Sequence, residues 1–243
     1  MRFDILTLFP EMLQGVVESS IMKRAISNNL IECNLINFRE FSGNKHNTVD
    51  DYAYSGGAGM LIRVDPIHRA LQSIENFERA TVILTSPSGT PFTQKKAIEL
   101  SKKDHIIIIC GHYEGIDARV LDYVDEEISI GDYVLTGGEM PAAVIMDAVS
   151  RLKPGVISED STMIESFDDD LLEYPQYTRP QVYDGKSVPD ILISGHHANI
   201  KKWQRYMSLK KTYEVRPDLL QKANLTKEDL KMLEEIKNEK QNN

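Results

Sequence analysis

Three short glycine-bearing loops each follow a stretch with the pattern of a buried strand: Thr85–Gly89, Gly111–Gly115 and Thr136–Glu139. Glycine lets the main chain come close to a ligand, so such loops can hold a small polar molecule with backbone amides and carbonyls. A single loop of this kind is more often a turn than a site, but three of them after three strands are rarely a coincidence. They predict one ligand site built largely from main-chain groups.

The spacing of the glycines weakens two classes of ligand. None of the loops has the Gly-x-Gly-x-x-Gly pattern of dinucleotide sites or the Gly-x-x-x-x-Gly-Lys pattern of nucleotide-phosphate sites. The segment SGGAGM at residues 55–60 comes nearest, and no lysine follows it. The adenine, ribose or carboxylate of S-adenosylmethionine would suit such loops instead.

Charged residues that could act on a bound substrate lie after these loops. Arg151 is the last residue of an apolar helical pattern. A cation there can interact favourably with the helix dipole, or it can stabilise negative charge on a substrate. Glu165, Asp168 and Asp169 lie in an acidic stretch. Carboxylates there are ordinarily solvated, but a mobile segment could deliver one as a general base. Both interpretations stay open for each residue.

A basic segment near the end of the chain could contact nucleic acid. A helix over HHANIKKWQRYMSLKK, residues 196–211, would place Trp203, Tyr206 and Met207 on one face. An equally good interpretation is that Trp203 packs in the core of this part of the chain and that the lysines are solvated. The candidates for contact with a phosphate backbone are Lys201, Lys202, Trp203 and Arg205.

The elements that must position these residues alternate along the chain. Strand patterns cover 2–9, 30–38, 80–89 and 105–111, two short strand-like pieces fall within 124–136, and helical patterns cover 10–29, 65–77, 93–103 and 138–151. Pro87 and Gly89 are expected to end the third strand, and Tyr133–Thr136 is expected to be extended. The alternation predicts an α/β fold with a largely parallel sheet, whose ligands bind beyond the carboxyl ends of the strands.

Composition predicts three parts. Residues 1–157 hold the alternating elements, 158–173 form an acidic interdomain linker, and 174–243 form a small helical domain with helices at 196–211, 216–222 and 226–238. A near capping box runs from Thr226 to Asp229. The net charge is −9, yet 174–243 hold 13 Lys/Arg against 9 Asp/Glu, a net of +4. Such an asymmetry can mark a basic surface carried by the last part alone, or it can be an accident of composition.

Composition also excludes several classes. An apolar content of 41% and a charged content of 27% are ordinary for a soluble globular protein. No apolar run nears the ~20 residues of a membrane span, and no signal-peptide pattern opens the chain, so a cytoplasmic protein is expected. Cys33 and Cys110 are expected to be buried reduced thiols, and the histidines lack metal-ligand spacing. No metal-ligating residues are predicted.

Several longer motifs resemble one known family. KHNTVDDYAYSGGAGM, CGHYEGID, EISIGDYVLTGGEMPA, SRLKPGV, LLEYPQYTRP and VPDILISGHHANI are similar, in order along nearly the whole chain, to the bacterial tRNA (guanine-N1)-methyltransferases of the TrmD family. The resemblance implies a SPOUT-type methyltransferase domain tied in a deep trefoil knot, and a small helical domain that binds tRNA. It also implies an obligate homodimer whose active sites are shared between subunits.

The implied reaction is transfer of a methyl group from S-adenosylmethionine to N1 of the guanosine at tRNA position 37, beside the anticodon, which maintains the reading frame. The family also links magnesium to its catalytic step. Neither a membrane nor DNA is an expected partner.

The family's site residues carry over to matching positions of this sequence. Arg151 matches the catalytic arginine that supports the guanine as N1 loses its proton. Glu165 stands where the family usually has an aspartate proposed as the general base, and its extra methylene adds roughly 1.5 Å of reach. The implied cofactor-binding residues are Ser86, Pro87, Gly111, Tyr113, Glu114, Ile130, Gly131, Asp132, Tyr133, Val134, Leu135, Gly137, Gly138 and Pro141.

Departures from the family pattern keep two other functions open. Ser55, Ala58 and Asp170 differ from the usual residues, and Asp168 or Asp169 could serve as base in place of Glu165. Relatives with the same fold methylate other RNA positions, so the fold alone does not choose the target. A non-catalytic RNA-binding protein is the other alternative, should Glu165 mark a lost activity.

Overall fold

The computed structural model describes residues 1–56, 59–158, 166–167 and 170–241. The chain divides into two compact units, Met1–Glu159 and Asp160–Asn243. Glu165, Asp168 and Asp169 lie outside the described residues, as does much of the predicted linker at 158–173. The linker and the roles of those carboxylates therefore stay predictions.

The first unit is built on a parallel sheet of five strands, in the order β2-β1-β6-β5-β7. A separate antiparallel hairpin pairs β3 with β4. This arrangement confirms the predicted α/β class with a largely parallel sheet. The strands of the unit are β1 Arg2–Thr7, β2 Glu32–Asn37, β3 Asp50–Tyr52, β4 Met60–Ile62, β5 Thr81–Pro91, β6 His105–Cys110 and β7 Glu126–Ser129.

Helices cover both faces of this sheet. Along β6, Ile106 and Ile108 belong to one cluster of buried side chains, whereas Ile107 and Ile109 belong to the other. Alternate residues of a strand face opposite sides, so the run of four isoleucines requires apolar cover on both. The helices are α1 Glu11–Val17, α2 Ser20–Ser27, α3 Val64–Gln72, α4 Gln94–Ser101 and α5 Glu139–Ser150, with 3₁₀ turns at Phe38–Phe41, Phe77–Arg79 and Ala118–Tyr123.

Three predicted elements of this unit differ from the structure, two in their extent and one in its type. The helix expected over 10–29 is divided at Ser20, whose φ of 48° lies in the left-handed region. The strand β5 does not end at Pro87 but continues to Pro91, because a bulge lets Thr85 and Thr90 both pair with Ile128. A bulge accommodates a proline, which has no N–H for the ladder.

The third of these elements is the extended run at Tyr133–Thr136. The backbone there forms bends rather than a strand, and Val134 is 85% exposed. A β-rich composition reflects packing against neighbouring strands, and the described sheet ends at β7, Glu126–Ser129, before this run begins.

The second unit is helical, as predicted. Its core contains Leu171, Leu209, Met232, Leu233 and Ile236. Its elements are the hairpin β8 Val182–Tyr183 with β9 Lys186–Ser187, and the helices α6 Asp190–Ile193, α7 His197–Val215, α8 Pro217–Leu220 and α9 Lys227–Gln241. Within the described ranges, no helix is both long and apolar enough to cross a membrane.

The capping box predicted at the start of α9 is present. Asp229 N donates to Thr226 Oγ1 at 3.1 Å, and Thr226 N donates to Asp229 Oδ2 at 2.8 Å. The two side chains thus satisfy two amides that the helix itself leaves without partners. The deep trefoil knot implied by the family resemblance stays a prediction.

Candidate functional site

A cavity of about 410 Å³ opens at the carboxyl ends of β5, β6 and β7. Ser86 from the bulged part of β5, and Gly111 and Gly137 from the loops after β6 and β7, all line it. Each of the three predicted glycine-bearing segments therefore reaches the cavity. Parallel strands end at the same edge of a sheet, so the loops that follow them meet there. The volume falls within the range of small-molecule sites.

The cavity collects nearly all residues expected to bind a cofactor. Asp132 is the exception and does not line the wall. The predicted residues that do line it are Ser86, Pro87, Gly111, Tyr113, Glu114, Ile130, Gly131, Tyr133, Val134, Leu135, Gly137, Gly138 and Pro141. Sequence reasoning missed several neighbours that share the wall, among them Thr85, His112, Asp117 and Glu127. These residues lie within the same sequence motifs as the predicted ones, and that position could have identified them.

Close main-chain packing explains the glycine at the start of α5. A Cβ on Gly138 would lie 2.7 Å from Cys110 Cα and 2.8 Å from Gly111 N, and real Cβ atoms do not come so near. Gly138 N also donates to Gly111 O at 2.9 Å. The helix can therefore begin against the end of β6 because this position carries no side chain.

The segment between β3 and β4 supports the loop after β6. Glu114 N donates to Met60 O at 3.1 Å, and Ile62 N donates to Gly115 O at 2.9 Å. A Cβ on Gly59 would lie 2.9 Å from Glu114 Cδ. The described part of the glycine-rich segment at 55–60 thus packs against a residue of the cavity wall.

One carboxylate on the cavity wall, that of Asp117, is paired with Arg119. Arg119 Nε and Arg119 N donate to Asp117 Oδ1 at 2.9 and 3.0 Å. The hydrogen bonds from Arg119 lower the pKa of Asp117, so its carboxylate is ionised at neutral pH. Glu114 and Glu127 also line the cavity.

A buried carboxylate lies directly behind the wall. Glu139, the first residue of α5, is 0% exposed. Its Oε1 accepts a hydrogen bond from Thr7 Oγ1 at 2.6 Å, and its Oε2 lies 2.7 Å from His112 Nε2. Cys110 is buried nearby, and burial followed by the charge of Glu139 raises the pKa of this thiol well above its usual range. Cys110 is therefore a protonated core residue and not a nucleophile.

Arg151 lies at the opposite end of α5 from the cavity. Its backbone N–H donates to Asp147 O at 3.1 Å and it caps the helix. A helix of 12 residues spans roughly 18 Å, and Arg151 does not line the cavity that begins at Gly138. Within one chain, the structure does not bring this predicted catalytic residue to the site.

The predicted RNA-contacting residues lie on α7, with differing surroundings. Lys201 and Lys202 are exposed, and Trp203 is half-buried with its ring centroid 6.4 Å from that of Tyr177. Arg205 donates to both carboxylate oxygens of Asp229, at 2.9 and 3.1 Å. Arg205 thus has a structural partner, and contact with RNA stays a prediction for all four residues.

The described residues do not fit a magnesium site. They contain no group of three or more His, Cys, Asp or Glu side chains placed to hold a metal ion. The magnesium link implied by the resemblance therefore has no support in this part of the chain.

Comparisons with known proteins give one family. The family model described as tRNA (Guanine-1)-methyltransferase TrmD matches residues 1–222. A protein of Dictyoglomus turgidum named tRNA (guanine-N(1)-)-methyltransferase is 55% identical over 240 residues, 98% of each chain. A protein of the same name from Staphylococcus aureus strain JH9 is 53% identical over 239 residues, again 98% of each chain.

Proposed function

The chain belongs to the tRNA (guanine-1)-methyltransferase TrmD family, which is of the SPOUT type, and we propose that it methylates N1 of guanosine 37 in tRNA with S-adenosylmethionine as donor. The convergence of three glycine loops on one cavity carries the proposal. The names of the relatives support guanine N1 and tRNA. The donor and position 37 follow from the motif resemblance, and a tRNA substrate implies a cytoplasmic enzyme.

The volume of the cavity and the acidic residues on its wall suit the donor. S-adenosylmethionine supplies an electrophilic methyl group on a sulfonium cation. Gly137 and Gly138 line the cavity, and an added Cβ at either position would meet protein atoms. These positions therefore offer only main-chain groups to a ligand. The carboxylates of Glu114, Asp117 and Glu127 on the wall favour a cationic ligand.

Two residues are proposed to act on the guanine. Glu165 takes the proton from N1 as general base, and the Arg151 guanidinium stabilises the negative charge that spreads towards O6. N1 then forms a bond to the methyl carbon as the carbon–sulfur bond breaks, and a neutral thioether leaves. Alignment of the reacting atoms supplies much of the acceleration in such a displacement. No step is assigned to magnesium.

A second copy of the chain would complete the site. Arg151 is separated from the cavity by the length of α5, so an Arg151 from the other subunit is the one proposed to reach the guanine. Met140 and Val144, one helical turn apart on α5, are 45% and 46% exposed. Apolar side chains on one exposed face suit a contact between subunits.

Methyl transfer from labelled S-adenosylmethionine to total tRNA tests the proposal. Nucleoside analysis should give 1-methylguanosine as the labelled product. A transcript with another nucleotide at position 37 should accept no label. Label in that transcript would reject the assignment to guanosine 37, and label in a different nucleoside would reject the reaction.

A further inference from the structure

Glu139 is a buried acidic side chain that the proposed reaction does not use. It is 0% exposed and begins the helix that starts at the cavity. An ionised carboxylate away from water is unfavourable unless its partners are well placed, and a helix N-terminus compensates only part of that loss. The partners of Glu139 therefore indicate its role.

Those partners come from two other elements. Thr7 ends β1 and His112 follows β6, so one carboxylate joins the ends of two strands to the first turn of α5. Thr7 Oγ1 also accepts a hydrogen bond from Phe9 N at 2.9 Å. The hydroxyl proton is then directed at Glu139, at a distance of 2.6 Å, which makes Glu139 the acceptor.

The loop that carries His112 needs a restraint from outside itself. Tyr113 has a φ of 59°, in the left-handed region, and the tight turn closes when Gly115 N donates to His112 O at 3.2 Å. A non-glycine residue keeps such a conformation only where the surroundings impose it. The hydrogen bond between the His112 ring and Glu139 restrains His112, which directly precedes Tyr113 in this turn.

The same carboxylate also shapes the loop before α5. A Cβ on Gly137 would lie 2.7 Å from Glu139 Oε2, and would also meet the His112 ring. Gly137 and His112 both line the cavity. The contact between the buried Glu139 and the partly buried His112 therefore supports two of its three loops.

We propose that Glu139 is a positioning residue for the methyl donor. Acting through His112 and Thr7, it holds the loop Gly111–Gly115 and the turn before α5 in the arrangement that receives S-adenosylmethionine. This inference rests on the proposed function and adds a residue that does not itself line the cavity.

The test uses the full-length protein and isosteric variants. Glu139→Gln keeps the shape but replaces one acceptor oxygen with a donor, and Thr7→Val removes the hydroxyl alone. Both should weaken S-adenosylmethionine binding, measured by calorimetry, by about tenfold or more, as expected for loss of a hydrogen bond to a charged group. The KM for tRNA should stay within about threefold. Thr7→Ser retains the hydroxyl that Thr7→Val removes, so this variant should bind the donor like the wild type.

A matched control exists at the other end of the sheet. Asp4 is also 0% exposed, and its Oδ2 lies 2.6 Å from His105 Nε2. Asp4→Asn removes a buried carboxylate–imidazole pair far from the cavity, so it should reduce stability but leave donor affinity unchanged.

Three results would overturn the inference. They are wild-type donor affinity in Glu139→Gln and Thr7→Val, an equal loss of donor affinity in Asp4→Asn, or parallel losses for donor and tRNA in the Glu139 variant. A wild-type protein that binds no S-adenosylmethionine would instead overturn the proposed function, and this inference with it.

Discussion

Arg205 and Asp229 form a double hydrogen-bonded ion pair inside the second unit, with nitrogen–oxygen distances of 2.9 and 3.1 Å. Asp229 also accepts hydrogen bonds from Thr226, so one carboxylate fixes the start of α9 to the middle of α7. The predicted RNA-contacting role of Arg205 thus competes with a role in holding the unit together. Lys201 and Lys202 on the same helix are exposed.

Asp229→Asn should destabilise the second unit. The substitution removes the negative charge of Asp229 from its pair with the half-buried Arg205. Loss of hydrogen bonds to a charged group lowers the free energy of unfolding by about 2 kcal/mol. Trp203 is the one tryptophan of the chain and lies in this unit. Urea unfolding followed by its fluorescence measures the change.

The contribution of this pair should depend on pH in a defined direction. The hydrogen bonds from Arg205 lower the pKa of Asp229 from 3.8 to about 2. A lowered folded-state pKa gives stability that is present above the unfolded value and lost as the pH falls from about 4 towards 2. Asp229→Asn should remove this dependence. Asp218→Asn, which breaks an exposed pair with Arg216, should leave it in place.

Gly138→Ala should abolish donor binding. The new methyl group would meet backbone atoms of Cys110 and Gly111, which cannot move aside as a flexible side chain can. Overpacking of this kind lowers stability by about 1–3 kcal/mol and displaces the start of α5 from the cavity. Calorimetry with S-adenosylmethionine, alongside thermal unfolding, measures both effects.

Gly15→Ala is the matched control for that substitution. Gly15 lies inside α1 and has nothing within 4 Å of an added Cβ. Alanine there should raise stability by roughly 0.5–1 kcal/mol, since glycine is a poor helix former. If Gly138→Ala bound the donor normally, the backbone around the new methyl group would have moved aside, and the predicted loss of binding would be wrong.

Mixed dimers should decide which subunit supplies Arg151. Arg151→Ala should reduce kcat by about 10²-fold or more with donor affinity unchanged, because Arg151 lies outside the cavity. A dimer of one Arg151→Ala chain and one Gly138→Ala chain should regain about half of the wild-type activity if each site takes its arginine from the partner. Differently tagged chains allow its purification. If cavity and arginine belonged to one chain, the mixed dimer would be as inactive as its parents.

Glu165→Gln should slow the chemical step. Glutamine keeps the size but cannot accept the N1 proton, so single-turnover methylation should fall by about 10²-fold or more. Glu165→Asp, which restores the residue usual in the family, should retain most of the activity. A near-wild-type rate for the glutamine variant would remove Glu165 from the role of base and direct attention to Asp168 and Asp169.

The two thiols should be unreactive in the folded protein. Burial, and to a lesser extent the charge of Asp4, raises the pKa of Cys33 to about 12. Burial also raises the pKa of Cys110 well above its usual range. The thiolate is the reactive form. A disulfide reagent at pH 8 should therefore label neither cysteine until urea is added. Rapid labelling of Cys33 in the native protein would contradict this.

The convergence of the loops was predictable because it follows from sheet geometry. The strand patterns predicted at 80–89 and 105–111 are those of β5 and β6, which pair in parallel. Parallel strands run to the same edge of a sheet, so their glycine-bearing segments meet there. The run at Tyr133–Thr136 was mispredicted because its residue types favour strands, whereas pairing depends on a neighbouring edge that local sequence does not show.

Side-chain partners far apart in sequence were not predictable. Glu139 lies 132 residues from Thr7 and 27 from His112, and Arg205 lies 24 from Asp229. A pattern of spacing reports which face a residue occupies, but it does not report which distant side chain meets it there. Spacing therefore identified candidate charged residues for the site, but it did not identify the contact between Glu139 and His112.

Part of the cavity wall is formed by the peptide groups of Gly137 and Gly138, where an added methyl group would meet atoms of the protein. An inhibitor that binds those peptide groups, rather than exchangeable side chains, would leave the enzyme few viable routes to resistance. A substitution at Gly138 would reduce donor binding by the protein itself, whatever its effect on binding of the inhibitor.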